Sequence, residues 1–221
     1  DFIILAAGKG TRMGGDSPKV LASLAGKPLI QYLIDTVDSF PSSNTSIVVG
    51  YKANEVETDL VSQKKLRFVK QKNQLGTAHA VKQALPNIRK NSVAVILYGD
   101  VPLVGKNTLQ RLIKSASKGK LSLLTFIKED PTGYGRIIRG SRKNVQKITE
   151  HKDASSAEKE IREVNSGILA IKASLLQQFI SKIKNNNAAK EYYLTDLVEI
   201  SNNHSVDVVA ILCDPYEVGG A

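Results

Sequence analysis

The stretch LAAGKGTRMGGDSPK, residues 5–19, decides the reading of this chain. It grows out of the apolar run FIILA, Phe2–Ala6, whose unbroken hydrophobicity reads as a buried parallel strand. Gly8 and Gly10 follow at once and let the backbone turn, bringing its N–H groups close to an anion. Arg12 and Lys19 add two cations to the same loop, so a phosphate-rich ligand is its natural occupant. Glycine after a strand is also ordinary turn chemistry, and the GxG by itself leaves both readings open. The spacing is neither the GxxxxGK[ST] of a P-loop nor a GxGxxG opening a dinucleotide fold.

Outward from this loop, strand and helix patterns alternate. Pro28 suits a first helical turn, and Leu29, Ile30, Leu33, Ile34 and Val37 mark one helical face. Residues 46–51 and 67–70 read as short strands, and 76–85 as a helix with Ala80, Val81, Ala84 and Leu85 inward. Val93–Tyr98 is a strongly apolar strand. Leu109, Leu112, Ile113 and Ala116 give a helical stripe before the strand Leu121–Ile127. This βαβ rhythm predicts an α/β fold with a mostly parallel sheet flanked by helices. After Asp130 the pattern changes. The turn PTGYG, residues 131–135, leads into strand-like pieces at Arg136–Arg139 and 144–149, a small antiparallel excursion over a binding cleft. The charged stretch 152–163 reads as a mobile loop, 164–171 as a strand, and Leu175, Leu176, Phe179, Ile180 and Ile183 as a helical stripe. Residues 195–201 read as a helix and 206–212 as a last strand. No hexapeptide repeat of a parallel β-helix occurs, and no linker divides the chain into more than one domain over 1–221.

With 221 residues and 42% hydrophobic residues, the chain can bury a substantial core. No apolar run approaches membrane-spanning length, and no basic n-region marks a secretory signal, so no membrane association is expected. One cysteine, Cys213, fits a reducing cytoplasm. His79, His151 and His204 lack metal-ligand spacing. The net charge is +10, with basic clusters at 64–72 and 182–190. Few aromatic residues accompany them, so a nucleic-acid partner is not expected, and the positive field suits a nucleoside triphosphate and a sugar phosphate.

Two further segments carry chemistry. YGDVP, residues 98–102, ends an apolar strand, the edge where open α/β sheets bind ligands. Asp100 there suits a hard cation such as Mg²⁺, or alternatively serves as a turn cap. QKNQLGT, residues 71–77, opens a helix. The Gln71 amide, with a donor and an acceptor, suits paired bonds to N3–H and a carbonyl of uracil or thymine, and Gly76 leaves room for a flat base. Ordinary helix-start chemistry explains the same segment, and His79 within it reads as a structural histidine.

The segments LAAGKGTRM, PKVL, QLGTAHA, LYGDVPL, DPTGYGRI, EHKDA, NSGIL and EYYLTD, in that order over nearly the whole chain, resemble one family. It is the uridylyltransferase domain of the bacterial bifunctional N-acetylglucosamine-1-phosphate uridylyltransferase and glucosamine-1-phosphate acetyltransferases. The resemblance implies a Rossmann-like nucleotidyltransferase fold and uridylyl transfer from UTP to N-acetylglucosamine 1-phosphate with Mg²⁺, giving UDP-N-acetylglucosamine for cell-wall precursors. It implies nucleotide contacts from Leu5, Ala6, Ala7 and Gly8, catalytic phosphate-holding roles for Arg12 and Lys19, and uracil recognition by Gln71, Gly76 and Thr77. Tyr98, Gly99 and Asp100 would line the ribose and metal, with Asp100 the metal ligand. Gly135, Glu150 and Asn165 would bind the sugar, with Tyr193 and Thr195 beside them.

In that family a second metal-site asparagine follows a segment like EVGGA, residues 217–221. A left-handed β-helix acetyltransferase domain follows further on and forms a homotrimer. Neither lies within this sequence, so the expectation is a monomeric chain that binds nucleotide and holds Mg²⁺ weakly. Two alternatives stay open beside uridylyl transfer: another sugar-phosphate nucleotidyltransferase, and a nucleotide-binding module without turnover. An oxidoreductase is disfavoured by the lack of GxGxxG followed by a ribose-binding acidic residue.

Overall fold

In the computed structural model, residues 1–9, 17–41, 43–60 and 66–219 are described. The first strand, β1 (Phe2–Ala6), is buried throughout and lies in the middle of the main sheet. A two-residue hairpin, β2 (Ser23–Leu24) and β3 (Lys27–Pro28), precedes α1 (Leu29–Asp38), whose Leu29, Ile30, Leu33, Ile34 and Val37 are all buried. Pro28 is thus the last residue before the helix rather than within its first turn. The units β4 (Thr45–Val49), α2 (Ala53–Asp59), β5 (Leu66–Lys70) and α3 (Thr77–Ala84) follow, then β6 (Val93–Tyr98), α4 (Lys106–Ala116) and β7 (Leu121–Ile127). The antiparallel hairpin β8 (Arg136–Arg139) and β9 (Val145–Thr149) leads through the one-turn helix α5 (Ser156–Lys159) to the long strand β10 (Glu163–Lys172). Helices α6 (Ala173–Ile180) and α7 (Leu197–Asn203), strand β11 (Val208–Leu212) and α8 (Pro215–Val218) complete it.

Among the described residues nine strands form the main sheet, with the order β11-β7-β10-β6-β1-β4-β5 and the β8–β9 hairpin attached at β10. Pairings of β1 with β4 and β6, of β4 with β5 and of β7 with β11 are parallel. Along that order only β10 runs against its neighbours, β6 and β7, and the attached β8–β9 hairpin is antiparallel as well, so the sheet is mixed with mostly parallel pairing along its main path. Alternation along each strand sends residues to two cores. Phe2, Ile4 and Ala6 pack with α1, α2 and α4, whereas Ile3 and Leu5 pack with α3 and α6. Chain order reverses at β1: β4 and β5 lie on one side, and β6 on the other. Ligand clefts form outside such a reversal, at the carboxyl ends of the strands.

Two sequence expectations change. The stretch 152–163 is not a featureless loop. Ser155 and Glu158 form a capping box, with Glu158 N–H donating to Ser155 Oγ (3.3 Å) and Ser155 N–H to Glu158 Oε2 (2.9 Å). Arg136, 1% exposed, ties this segment to the hairpin: it donates to the carbonyls of Tyr134 and Lys159 and to His151 Nδ1 (3.2 Å). A fully buried guanidinium is tolerated there because its donors meet acceptors. Helices α2 and α8 were also not foreseen, since α2 buries only Val56 and α8 only Val218, leaving no apolar stripe to read.

The register of β10 against β7 shifts between Asn165 and Leu169, and Gly167 inside the shift has φ +86°. A Cβ at Gly167 would come within 2.6 Å of the Tyr98 ring. Strain and collision act together, so Gly167→Ala is expected to destabilise the fold by about 1–3 kcal/mol. Urea unfolding of the two proteins measures the difference.

Candidate active site

At the carboxyl ends of β1, β5 and β6 lies a cleft of about 440 Å³. Leu5, Ala6, Ala7 and Gly8 from the end of β1, Lys19, Gln71, Gly76, Thr77, Tyr98 and Asp100 line it. The expected nucleotide-binding residues thus converge, apart from two. Gly99 is packed behind the wall, its N–H donating to Leu5 O (2.9 Å). Arg12 lies outside the described residues. Gln74 and Glu191 also line the cleft and were missed, although both stand inside the motif segments QLGTAHA and EYYLTD.

Lys19 Nζ and Asp100 Oδ2 form an ion pair at 2.7 Å, with side chains 20% and 29% exposed. The pair places a cation and a carboxylate together at the mouth of the cleft, where phosphate oxygens and a divalent ion have use for both. Among the described residues no cluster of three or more His, Cys, Asp or Glu side chains could hold a metal. Asp100 is a carboxylate that lines the cleft beside Lys19.

Gln71 is buried, and both hydrogens of its amide are spent inside the protein. Nε2 donates to Gly76 O (3.2 Å) and lies 2.9 Å from His79 Nδ1. With Nε2 held by these two partners, Oε1 is the amide atom left for a base. Gly76 has φ +108°, and a Cβ there would meet the Tyr192 carbonyl at 2.6 Å. Glycine is required because residues 192–194 dock directly on this turn. Tyr192 N–H donates to Leu75 O (2.8 Å), Ala78 N–H to Tyr192 O (2.9 Å) and Leu194 N–H to Thr77 Oγ1 (2.9 Å).

That docking brings up the second group of expected residues. Thr195 Oγ1 donates to Glu150 Oε1 (3.0 Å), and Asn165 N–H donates to Gly135 O (2.9 Å). A Cβ on Gly135 would stand 3.3 Å from Glu150 Oε2, so these four residues share one corner. Tyr98 lines the cleft and lies near both Thr77 and Glu150. Burial, then the charge of Glu150 and that of Asp100, raise the Tyr98 phenol well above its ordinary value, against a hydrogen bond from Thr77, so it stays protonated. Burial raises Glu150 too, with the Thr195 bond opposing. Burial followed by nearby carboxylates pushes Tyr193 up to about 12.

A cation–carboxylate pair at a sheet reversal with an adjoining polar corner suits a nucleotide-handling transferase. The MobA-like NTP transferase domain matches residues 2–164, and the chain belongs to that family. It is similar to the bifunctional protein GlmU of Cellvibrio japonicus, 46% identical over 94% of this chain and 46% of that protein. The GlmU protein of Pseudomonas entomophila is likewise 46% identical, over 100% of this chain and 48% of that one. The chain spans about half the length of these curated relatives. Two solved structures share its fold at 18% identity. A UDP-glucose pyrophosphorylase complexed with UDP-glucose has a TM-score of 0.75, covering 92% of this chain and 86% of that one. A putative glucose-1-phosphate thymidylyltransferase from Bacillus anthracis has a TM-score of 0.78 over 96% of this chain and 86% of that one.

Near the sugar-side corner, burial and then the charges of Glu199, Glu150 and Asp153 raise Asp196 from 3.8 to about 6. A raised carboxyl in the fold contributes stability below its unfolded value, and that contribution is lost as pH rises through about 6. Asp196→Asn is therefore expected to match the wild type in melting temperature near pH 4 and to exceed it above pH 6. Thermal melts across that range check the sign.

Proposed function

We propose that this chain transfers a uridylyl group from UTP to N-acetylglucosamine 1-phosphate, giving UDP-N-acetylglucosamine and pyrophosphate. The observation that carries the reading is a nucleotide-sized cleft lined by Tyr98, with the Gly135–Glu150–Asn165–Thr195 corner near that residue. The similarity to GlmU proteins over the whole chain supports it.

A phosphate oxygen of the sugar phosphate bonds to the α-phosphorus of UTP in line, the bond from that phosphorus to the bridging oxygen breaks, and pyrophosphate leaves with the electron pair. The attacking oxygen is already ionised, so no side-chain nucleophile or base is required. The protein positions the two substrates and stabilises charge. Lys19 supplies a point charge to the phosphates, and we assign Arg12 the role of a forked donor to them. Asp100 is the residue that would hold Mg²⁺, and the bound ion would neutralise phosphate charge. Gln71 Oε1 and the start of α3 take the base. Glu150 accepts from a sugar hydroxyl through Oε2, since Thr195 occupies Oε1. Proton release is not needed at Tyr98, whose hydroxyl stays protonated. We place the reaction in the cytoplasm, where a lone thiol such as Cys213 stays reduced.

Pyrophosphate release over a panel of nucleotides and sugar 1-phosphates tests the reading. UTP with N-acetylglucosamine 1-phosphate is expected to be the best pair, and equal use of glucose, glucosamine and N-acetylglucosamine 1-phosphates would reject the assignment. Lys19→Ala and Arg12→Ala are each expected to lower turnover by about 10²–10³, the usual cost of removing one preorganised charge donor. Glu150→Ala is expected to raise KM for the sugar phosphate more than KM for UTP.

A further inference from the structure

His79 has no part in the chemistry above, yet its ring touches the residue assigned to read the base. It lies half-buried on α3, with Nδ1 2.9 Å from Gln71 Nε2. The Gln71 amide is fixed from its other side by Gly76, whose carbonyl accepts from Nε2 at 3.2 Å. Turning that amide over would set Oε1 against the Gly76 carbonyl, two acceptors facing one another. The –NH₂ must therefore point inward, and its second hydrogen meets His79 Nδ1. A hydrogen bond there requires a lone pair on Nδ1, which places the ring proton on Nε2.

Gln83, one helical turn further on, stands against the far side of the ring. Its amide nitrogen is 3.3 Å from His79 Nε2 and donates to the His79 carbonyl at 3.2 Å. The ring has one lone pair and two amides competing for it. Each amide also donates to a backbone carbonyl, so burial and distance separate them: Gln71 is buried and 2.9 Å from the ring, whereas Gln83 is partly exposed, 3.3 Å away, and its amide hydrogen can go to water instead. The lone pair belongs to the Gln71 side.

We propose that His79 is a positioning residue for base selection, its Nδ1 holding the Gln71 amide so that only the acceptor Oε1 faces the cleft. An acceptor in that place pairs with the N3–H of uracil. It meets a lone pair on cytosine N3 and rejects it, because an acceptor left facing an acceptor loses the bond it had with water. Without the Nδ1 lone pair, one of the two restraints on the amide is gone. Nε2 then turns outward part of the time and donates to cytosine. The inference rests on the reading that Gln71 faces the base.

Equilibrium titration of the full chain with UTP and with CTP, each with Mg²⁺, tests it through the ratio of the two dissociation constants. His79→Leu removes the acceptor at similar bulk, and the preference for UTP is expected to fall by about tenfold, the worth of one hydrogen bond to a buried group. In turnover the loss is expected in KM for UTP, with kcat little changed. His79→Asn sets an oxygen near the position of Nδ1 and is expected to keep the wild-type ratio, which a loss of packing alone would not allow. Ring ¹⁵N shifts of the wild-type protein are expected to show the proton on Nε2. A wild-type preference that survives in His79→Leu overturns the inference, as does an Asn variant that falls as far as the Leu variant, or a ring carrying its proton on Nδ1. A wild-type chain that binds CTP as tightly as UTP defeats base reading by Gln71 itself, and the inference with it.

Discussion

Three hydrogen bonds between residues 75–78 and 192–194 hold the candidate site together. They join parts of the chain that are far apart in sequence, and each uses a backbone group of the later segment. Two of them are wholly backbone bonds, so they depend on the path of the chain more than on side-chain identity. Gly76 permits that path, because any larger residue would meet the Tyr192 carbonyl. From this seam the start of α3 faces the cleft, and Thr195 reaches Glu150. Take the seam away and the two halves of the site have separate supports, one on the parallel strands and one on the hairpin.

The parallel half was the more legible in the sequence. Phe2–Ala6, Val93–Tyr98 and Leu121–Ile127 are strands over the very residues expected, because each is a continuous apolar run flanked by turn residues. The α1 stripe was equally clear, all five of its expected inward residues being buried. What escaped were elements stabilised by local polar bonds. The α5 turn depends on one Ser–Glu capping box and on a buried arginine 20 or so residues away, and charge density there reads as a solvated loop until the partners are known. Among the residues singled out in short motifs, Lys19, Gln71 and Asp100 line the cleft, and Glu150 lies beside it near Tyr98. Gln74 and Glu191 were not singled out, since which residue of a motif faces the cleft depends on the path of the backbone. The exhausted donors of Gln71 could not be read at all, because they are fixed by Gly76 and His79 in three dimensions.

Charge is distributed unevenly over this basic chain. The net charge is +10, yet near the polar corner the charge of Asp153 helps raise Glu150, and those of Glu199, Glu150 and Asp153 help raise Asp196. Burial is the first cause at both Glu150 and Asp196, so the fold accepts a cost in stability to keep carboxyl groups there. Lys19 stands across the cleft beside Asp100. A ligand with a phosphate at one end and hydroxyl groups at the other meets a cation first and acceptors second, which orients it before any close contact forms.

The bulge at Gly167 has a wider consequence. By clearing space for the Tyr98 ring it lets one side chain line the cleft while packing directly against the backbone of β10. A ring held that closely cannot move at the cleft without pressing on the strand behind it. Any occupant that pushed on Tyr98 would therefore be felt at the register shift between β10 and β7.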